Sequence, residues 1–302
     1  MNGRIPAQTA GSRGYWFILG AALLWGTTGT AQAFAPVGFD SAVIGTVRLI
    51  IGGGALLLLA VKRGELGTFR SWKPLPVLLA AFFIAGYQLF FFTAVARTGV
   101  AVGTIVGIGS SPIAGGLFGF LFRGERPQKR WFAATVLAIL GCTLLSISGR
   151  DIAVDPLGIL LAVGAGASYA AYAIAIKGLL EEHAPDAVLA VVISVGAVLL
   201  SPALIRSDIG WLLQPRSIAV LLHLGLISMA LSYGLFARGL QSVRVADAVT
   251  LSLAEPMTAA ILGIVVLGER LDVRAFCGIA LIFAGLAVLV IRRRAGENEA
   301  PT

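Results

Sequence analysis

The chain repeats itself at an offset of 144 residues, and this duplication constrains the fold more than any other feature of the sequence. Pro112 precedes the triplet Gly124-Glu125-Arg126, and Pro256 precedes Gly268-Glu269-Arg270 in the same register. Weaker matches keep the offset at three further pairs: Gly20 with Gly164, Trp25 with Tyr169, and Gly141 with Gly285. We therefore predict two structurally similar halves.

Each half carries five apolar stretches of a length that can cross a membrane. A helix of about 20 apolar residues spans the roughly 30 Å of bilayer hydrocarbon, and 58% of the 302 residues are hydrophobic while only 13% are charged. The stretches are apolar on every side, whereas the strands of a membrane barrel alternate apolar and polar residues. We therefore predict an all-α polytopic membrane protein with ten transmembrane helices. Their predicted ranges are 15–35, 42–61, 75–96, 100–122, 131–148, 157–178, 186–205, 217–237, 246–267 and 273–291.

An odd number of crossings in each half places the second half upside down relative to the first. We predict two inverted five-helix repeats at residues 15–148 and 157–291, followed by a basic stop and a disordered tail at 292–302. In this topology sixteen Lys and Arg residues fall on one side and six on the other, which predicts cytoplasmic N- and C-termini. The same bias accounts for the net charge of +8 without nucleic-acid binding. Inverted repeats are typical of alternating-access transporters, which hold substrate near the midplane between the halves.

The N-terminal segment allows a competing interpretation. Arg4, Arg13, the first apolar run and Ala31-Gln32-Ala33 resemble a secretory signal with its cleavage site. Cleavage would leave nine spans and break the repeat, so we interpret the first span as the structural partner of the sixth.

Cys142 and Cys277 lie inside apolar spans, with no second thiol or His at metal-ligand spacing, so we predict no disulfide, metal site or cofactor.

Polar and aromatic side chains deep inside several spans are candidates for binding a substrate. Aromatic residues near span ends usually belong to the interfacial belt, whereas deeper ones either pack against other helices or line a pathway. The candidate substrate-binding residues are Trp25, Gln32, Tyr87, Gln88, Ser110, Ser168, Tyr169, Tyr172 and Tyr233. We expect the rings to pack on an uncharged side chain of the substrate and the polar groups to bind its polar end.

Arg48 and Glu255 are the ionisable residues predicted nearest the membrane midplane, where an unpaired charge costs several kcal/mol. Glu255 either has a structural role, accepting hydrogen bonds from backbone N–H groups near Pro256 or pairing with Arg48, or it binds a proton or cation. Arg48 is either a structural ion or a counter-charge for a substrate carboxylate. Pro112 and Pro256 each remove a backbone hydrogen bond, so we predict paired bends that act as hinges.

The order, spacing and duplication of the short motifs resemble the drug/metabolite transporter superfamily and, within it, the EamA family. The motifs that carry the resemblance are Trp25-Gly26-Thr27, Gly124-Glu125-Arg126, Glu255-Pro256 and Gly268-Glu269-Arg270. The resemblance implies a multi-pass protein of the bacterial inner membrane that exports small metabolites, commonly amino acids. The length and aromatic interior are similar to YddG-type exporters of aromatic amino acids. The first half departs from the pattern, because Ser110-Ser111-Pro112 has no acidic residue before the proline.

Other functional classes fit the sequence less well. A membrane-embedded enzyme would need a nucleophile–base pair or a metal cluster, which the two His and two Cys do not provide at motif spacing. A channel would show rings of repeated polar residues. Nucleotide sugars would need a basic cavity, yet Arg48 is the only central basic residue. Other metabolites or drugs remain alternative cargoes.

The predicted partners are a small-molecule substrate and the lipid bilayer. The coupling ion, the resting conformation and the oligomeric state, with which a monomer is compatible, stay open.

Overall fold

The computed structural model describes residues 12–35, 41–68, 71–147, 155–205, 207, 209–268 and 273–290. The regular secondary structure of these ranges is helical throughout. The α-helices are α1 Ser12–Ala33, α2 Ser41–Arg63, α3 Pro74–Arg123, α4 Lys129–Ile147, α5 Pro156–Leu179, α6 Pro185–Leu200, α7 Pro202–Ile205, α8 Pro215–Leu222, α9 Ser232–Leu240, α10 Val245–Leu251, α11 Ala254–Leu267 and α12 Val273–Val290. A 3-10 turn at Gly210–Leu213 precedes α8, and a π-helical segment at His223–Leu231 joins α8 to α9.

Six stretches of the described chain are long and apolar enough to cross a membrane. They are Val43–Arg63, Pro74–Phe91, Pro156–Leu179, Pro185–Ile205, Pro215–Leu240 and Val245–Leu267, each coinciding with a predicted span. The other four predicted spans coincide with α1, the end of α3, α4 and α12, and in α12 the apolar segment Phe276–Leu289 is shorter. The basic stop and tail at 292–302 lie outside the described residues.

Helix α3 holds two predicted spans because it folds back on itself. A methyl group added to Gly107 would lie 3.5 Å from Cδ2 of Phe91, although a straight α-helix would separate these two positions by about 24 Å. Helix α5 contacts both arms at one level, since Gly164 faces the ring of Phe90 and Gly166 faces the backbone of Gly107. The chain therefore reverses direction between Phe91 and Gly107. We call residues 74–91 the first arm of α3 and residues 107–123 its second arm.

The two halves pack on each other through equivalent contacts. A methyl group on Gly141 would lie 2.6 Å from the carbonyl oxygen of Gly278 and 2.8 Å from the backbone nitrogen of Ile282. A methyl group on Gly285 would lie 2.7 Å from the carbonyl oxygen of Ala134 and 3.2 Å from the backbone nitrogen of Ala138. Each contact becomes the other when 144 residues are added or subtracted. Helices α4 and α12 thus lie antiparallel with touching backbones, which transmembrane helices achieve with glycine at the interface.

The helices begin and end at two distinct faces. At one, which we call the charged face, ion pairs join the end of α2 to the start of α6 and the end of α5 to the end of α3. At the opposite face an apolar cluster brings the end of α1 and the start of α2 against α8, with Ile44, Val220 and Leu224 at its centre. The faces therefore differ in how the halves are held together. Several ion pairs join them at the charged face, whereas the opposite face combines this apolar packing with the Arg97–Asp155 ion pair.

Candidate functional site

A cluster of aromatic rings lies where the two halves meet. Trp25 of α1 contacts Tyr233 and Phe236 of α9 at ring-centroid distances of 5.0 Å and 5.4 Å. Its ring also meets that of Tyr169 in α5 edge-on at 6.1 Å. Tyr87 of the first arm completes the group at 5.7 Å from Tyr169. The aromatic cluster is defined as these five rings, and it draws residues from both repeats.

The polar atoms of the aromatic cluster are unequally satisfied. The Tyr169 hydroxyl and Ser252 Oγ are 3.0 Å apart. The indole nitrogen Nε1 of Trp25 is buried and has no hydrogen-bond partner among the described residues. A buried donor left unpaired costs roughly 1–3 kcal/mol, so the Trp25 nitrogen marks a place where an acceptor would be favourable.

Arg48 of α2 approaches the aromatic cluster from the side of the π-helical segment. It is 7% exposed, and its Nη2 lies 3.4 Å from both the carbonyl oxygen and the Oγ of Ser228. Both hydrogen bonds are long for a charged donor. Its Nε is buried without a partner in the part of the chain that the structure describes. The π-helical segment was not predicted, and π-bulges are frequent at functional sites.

Glu255 lies beside a break in the helical ladder. Helix α10 ends at Leu251 and α11 begins at Ala254, so Glu255 stands in the first turn of a new helix. It packs on α1 beside Trp25, because its carbonyl oxygen lies 2.8 Å from a methyl group built on Gly26. The salt bridge with Arg48, one of the alternatives predicted for Glu255, is absent, since no ion pair within 4.0 Å joins the two among the described residues. The two opposite charges are therefore not paired with each other.

A cavity of about 420 Å³ opens between α1, α8 and α11 on the side of the opposite face. Its walls are mostly apolar and include Thr30, Phe34, Val220 and Leu262. His223 also lines it, and its Nε2 is 2.9 Å from Oγ1 of Thr27. The next residue, Thr28, has its Oγ1 2.6 Å from the Ser228 hydroxyl that Arg48 also approaches. Two separate polar contacts thus join α1 to the π-helical segment beside this cavity, which we call the outer cavity.

Several predicted site residues lie outside the aromatic cluster. Ser110 donates a hydrogen bond to the carbonyl oxygen of Gly107, and Ser168 packs against Gly86 of the first arm, so both hydroxyls lie at helix contacts. Gln32 is half-buried near the end of α1 and is not among the residues that line the outer cavity. Tyr172 is fully buried beside Tyr233 at 6.0 Å. Gln88 is 3% exposed, and its amide nitrogen has no partner among the described residues.

The two prolines occupy different local structures. Helix α3 continues through Pro112, which is buried, and the Ser111 hydroxyl donates to the carbonyl oxygen of Gly107 at 2.9 Å. Near Pro256 the ladder is interrupted at Ser252 and Leu253 instead. The interruption is therefore confined to the second half, beside the glutamate that the first half lacks.

The ion pairs across the charged face were not predicted from the sequence. Asp186 is 2% exposed and accepts hydrogen bonds from Arg63 of the first half and Arg238 of the second. Asp247, also buried, accepts from Tyr15 at 3.0 Å and from Arg244 at 2.9 Å. Each carboxylate therefore links the halves. No motif distinguishes these residues from ordinary helix-end charges, but their place at the start of apolar spans was a usable signal.

Further contacts strengthen the charged face. The Lys177 ammonium donates to Glu125 at 3.0 Å, and Glu125 also accepts from the backbone nitrogen of Val245 at 2.9 Å. Lys73 donates to Glu182, and this hydrogen bond lowers the pKa of the Glu182 carboxyl below its ordinary value. Trp72 stacks on His183 at 3.9 Å. Ion pairs thus join the halves at the charged face, whereas the outer cavity lies toward the opposite face.

Comparison with known proteins finds a family model, relatives and a solved structure that resemble this chain. The model of the EamA-like transporter family matches residues 12–147 and 156–291. A Bacillus subtilis (strain 168) protein named uncharacterized transporter YwfM is 45% identical over 90% of this chain and 92% of its own length. The threonine/homoserine exporter RhtA of Salmonella typhimurium (strain SL1344) is 30% identical over 82% of this chain and 83% of its own. A solved crystal structure shares the fold with a TM-score of 0.81 at 21% identity, over 94% of this chain and 98% of that one.

Proposed function

Since the chain belongs to the EamA-like transporter family and is a membrane transporter of that type, we propose that its cargo is a neutral amino acid exported across the bacterial inner membrane. The aromatic cluster carries the proposal, because Trp25, Tyr169 and Tyr233 offer an apolar surface at the junction of the halves. The unpartnered indole nitrogen beside them suits a polar ligand atom. The relatives named as threonine/homoserine exporters support the same substrate class.

The proposed mechanism is alternating access by two inverted repeats, with ten transmembrane helices and both termini in the cytoplasm. The exchange of the Gly141 and Gly285 contacts under the 144-residue offset supports this symmetry. The open outer cavity and the closed charged face correspond to an outward-facing state, with the charged face toward the cytoplasm. In the inward-facing state the ion pairs between the halves would separate. The break before Pro256 is the proposed hinge, with Pro112 as its partner in the first half.

A chemical reaction is not part of the proposal. The residues at the centre of the site are rings, one guanidinium and one carboxylate, and the described chain holds no group of three or more metal-binding side chains. These groups can bind and orient a solute, but they do not combine a nucleophile with a base. Transport of a small metabolite, with the lipid bilayer as the other partner, accounts for their arrangement.

Counterflow in proteoliposomes tests the proposed cargo. Vesicles are loaded with one unlabelled amino acid, and uptake of labelled phenylalanine, threonine or a sugar is followed. We expect an amino-acid preload to drive uptake of labelled amino acid but not of sugar. Trp25→Ala should lower the rate at least tenfold, because it removes the ring that joins α1 to α9. Phe82→Ala, a change at an exposed ring of the first arm, is the matched control and should retain the rate.

The counterflow result bears on the cargo and not on the fold. If no amino acid drives exchange while a sugar or a drug does, the amino-acid assignment is wrong and the other cargo takes its place. If Trp25→Ala and Phe82→Ala transport equally well, the aromatic cluster is not the binding surface.

A further inference from the structure

Two opposite charges lie near the aromatic cluster without pairing with each other. Arg48 of the first half contacts Ser228 in the π-helical segment. Glu255 of the second half packs on α1 beside Trp25, since its carbonyl oxygen lies 2.8 Å from a methyl group built on Gly26. No ion pair within 4.0 Å joins Arg48 to Glu255 in the described chain. Isolated charges inside a membrane protein are costly unless they are paired or serve a function. Because Arg48 and Glu255 are not paired with each other, each charge can bind a ligand.

Two of the unpartnered buried atoms at this site are hydrogen-bond donors. The Nε of Arg48 and the Nε1 of Trp25 are buried without partners among the described residues. Neither group can accept a hydrogen bond, so a water or ligand atom that satisfies them must be an acceptor. Among the described residues, the hydrogen bonds of Arg48 Nη2 are two long contacts with Ser228. A carboxylate is the acceptor that best matches a guanidinium, because its two oxygens can take two parallel hydrogen bonds.

We infer that the site selects zwitterions: Arg48, assisted by the Trp25 nitrogen, binds the α-carboxylate of the cargo, and Glu255 binds its α-ammonium. The inference rests on the proposed function and adds to it the chemical feature that is recognised. The aromatic cluster then contacts the side chain. Each half contributes one charge, so the ligand itself completes the electrostatic link between the repeats.

Charge pairing explains why a ligand with one charge should bind poorly. An amine without a carboxylate would neutralise Glu255 and leave the Arg48 guanidinium buried and unpaired. An acid without an ammonium would pair with Arg48 and leave the Glu255 carboxylate unpaired. A site built to bind a polar group strongly rejects an analogue that lacks it, because its own buried groups are then left unpaired. The relevant selectivity is therefore for a pair of opposite charges on one small molecule.

Three analogues with the same ring separate the two contacts. Phenylalanine, 2-phenylethylamine and 3-phenylpropionate are compared as inhibitors of labelled phenylalanine exchange by the wild-type protein. We expect inhibition constants at least tenfold higher for the amine and the acid than for phenylalanine. If either analogue matches phenylalanine, selection for zwitterions is overturned while amino-acid transport stands. If no amino acid exchanges at all, the proposed function fails first, and direct binding of the three compounds to purified protein then tests the selectivity alone.

Two variants assign the charges to their residues. Arg48→Gln should weaken binding of phenylalanine at least tenfold but leave 2-phenylethylamine within about twofold of its wild-type value. Glu255→Gln should weaken phenylalanine similarly and leave 3-phenylpropionate unchanged. A purely structural role for either residue would weaken all three ligands by the same factor, and that result would overturn the assignment. If one variant does not fold, the wild-type series and the other variant still decide the inference.

Discussion

Replacing Gly141 or Gly285 with alanine is expected to destabilise the folded protein by forcing α4 and α12 apart. The added methyl group at Gly141 would lie 2.6 Å from the carbonyl oxygen of Gly278 and 2.8 Å from the nitrogen of Ile282. Both neighbours are backbone atoms, so α4 and α12 must move apart along their whole contact. Overpacking of this kind costs roughly 1–3 kcal/mol. Thermal unfolding followed by the loss of monodisperse protein in detergent measures the effect.

The chain offers a matched control for this prediction. Gly54 also lies inside a helix, but no atom lies within 4 Å of a methyl group built on it. Gly54→Ala should be neutral or slightly stabilising, because alanine favours a helix over glycine by up to about 1 kcal/mol. Since the contacts of Gly141 and Gly285 are related by the repeat, their alanine variants should lose similar stability. A Gly141→Ala protein as stable as Gly54→Ala would show that the helices are not in close contact there.

Much of the fold could be predicted because hydrophobic length and duplication are written directly in the sequence. The predicted range 157–178 and helix Pro156–Leu179 agree within a residue or two at each end, and 246–267 coincides with the stretch Val245–Leu267. The predicted spans 75–96 and 100–122 place a reversal at residues 97–99, and the structure has one between Phe91 and Gly107. What was not predicted is that helix Pro74–Arg123 is continuous through the reversal.

The candidate site could be predicted only in part. Trp25, Tyr87, Tyr169 and Tyr233 do come together, and each lies about ten residues or more from at least one end of its predicted span. Ser110 and Ser168 lie at helix contacts instead. The Ser110 hydroxyl bonds to its own helix backbone at Gly107, and Ser168 packs on Gly86. The contact of Ser228 with Arg48 depends on the π-helical segment, and no local sequence pattern predicts that segment. Partner choice depends on how helices are rotated about their axes, and a single sequence does not contain that information.

Asp186→Asn is expected to shift the protein from the outward-facing toward the inward-facing state. Asp186 is 2% exposed and accepts from Arg63 of one half and Arg238 of the other, so its charge holds the halves together at the charged face. Asparagine keeps the size but leaves two guanidinium groups without their anion. A hydrogen bond to a charged group contributes roughly 1.5–3 kcal/mol, and partial exposure of both arginines places the effect near the lower end. The shift should therefore be about tenfold in the ratio of the two states.

The separation of the halves is measured as the distance between two spin labels, one at Lys62 at the end of α2 and one at Gln241 just after α9. Both residues are exposed. The labels are attached in a background in which Cys142 and Cys277 are replaced. The Asp186→Asn protein should show a larger population at long distance. Glu182→Gln is the matched control, because the Lys73–Glu182 pair also joins the halves but is exposed on both sides, where ion pairs contribute little. Equal distance distributions in the wild type and in Asp186→Asn would mean that apolar packing, and not the buried carboxylate, keeps the charged face closed. A shift in both variants would instead assign the closure to the whole set of charges, exposed pairs included.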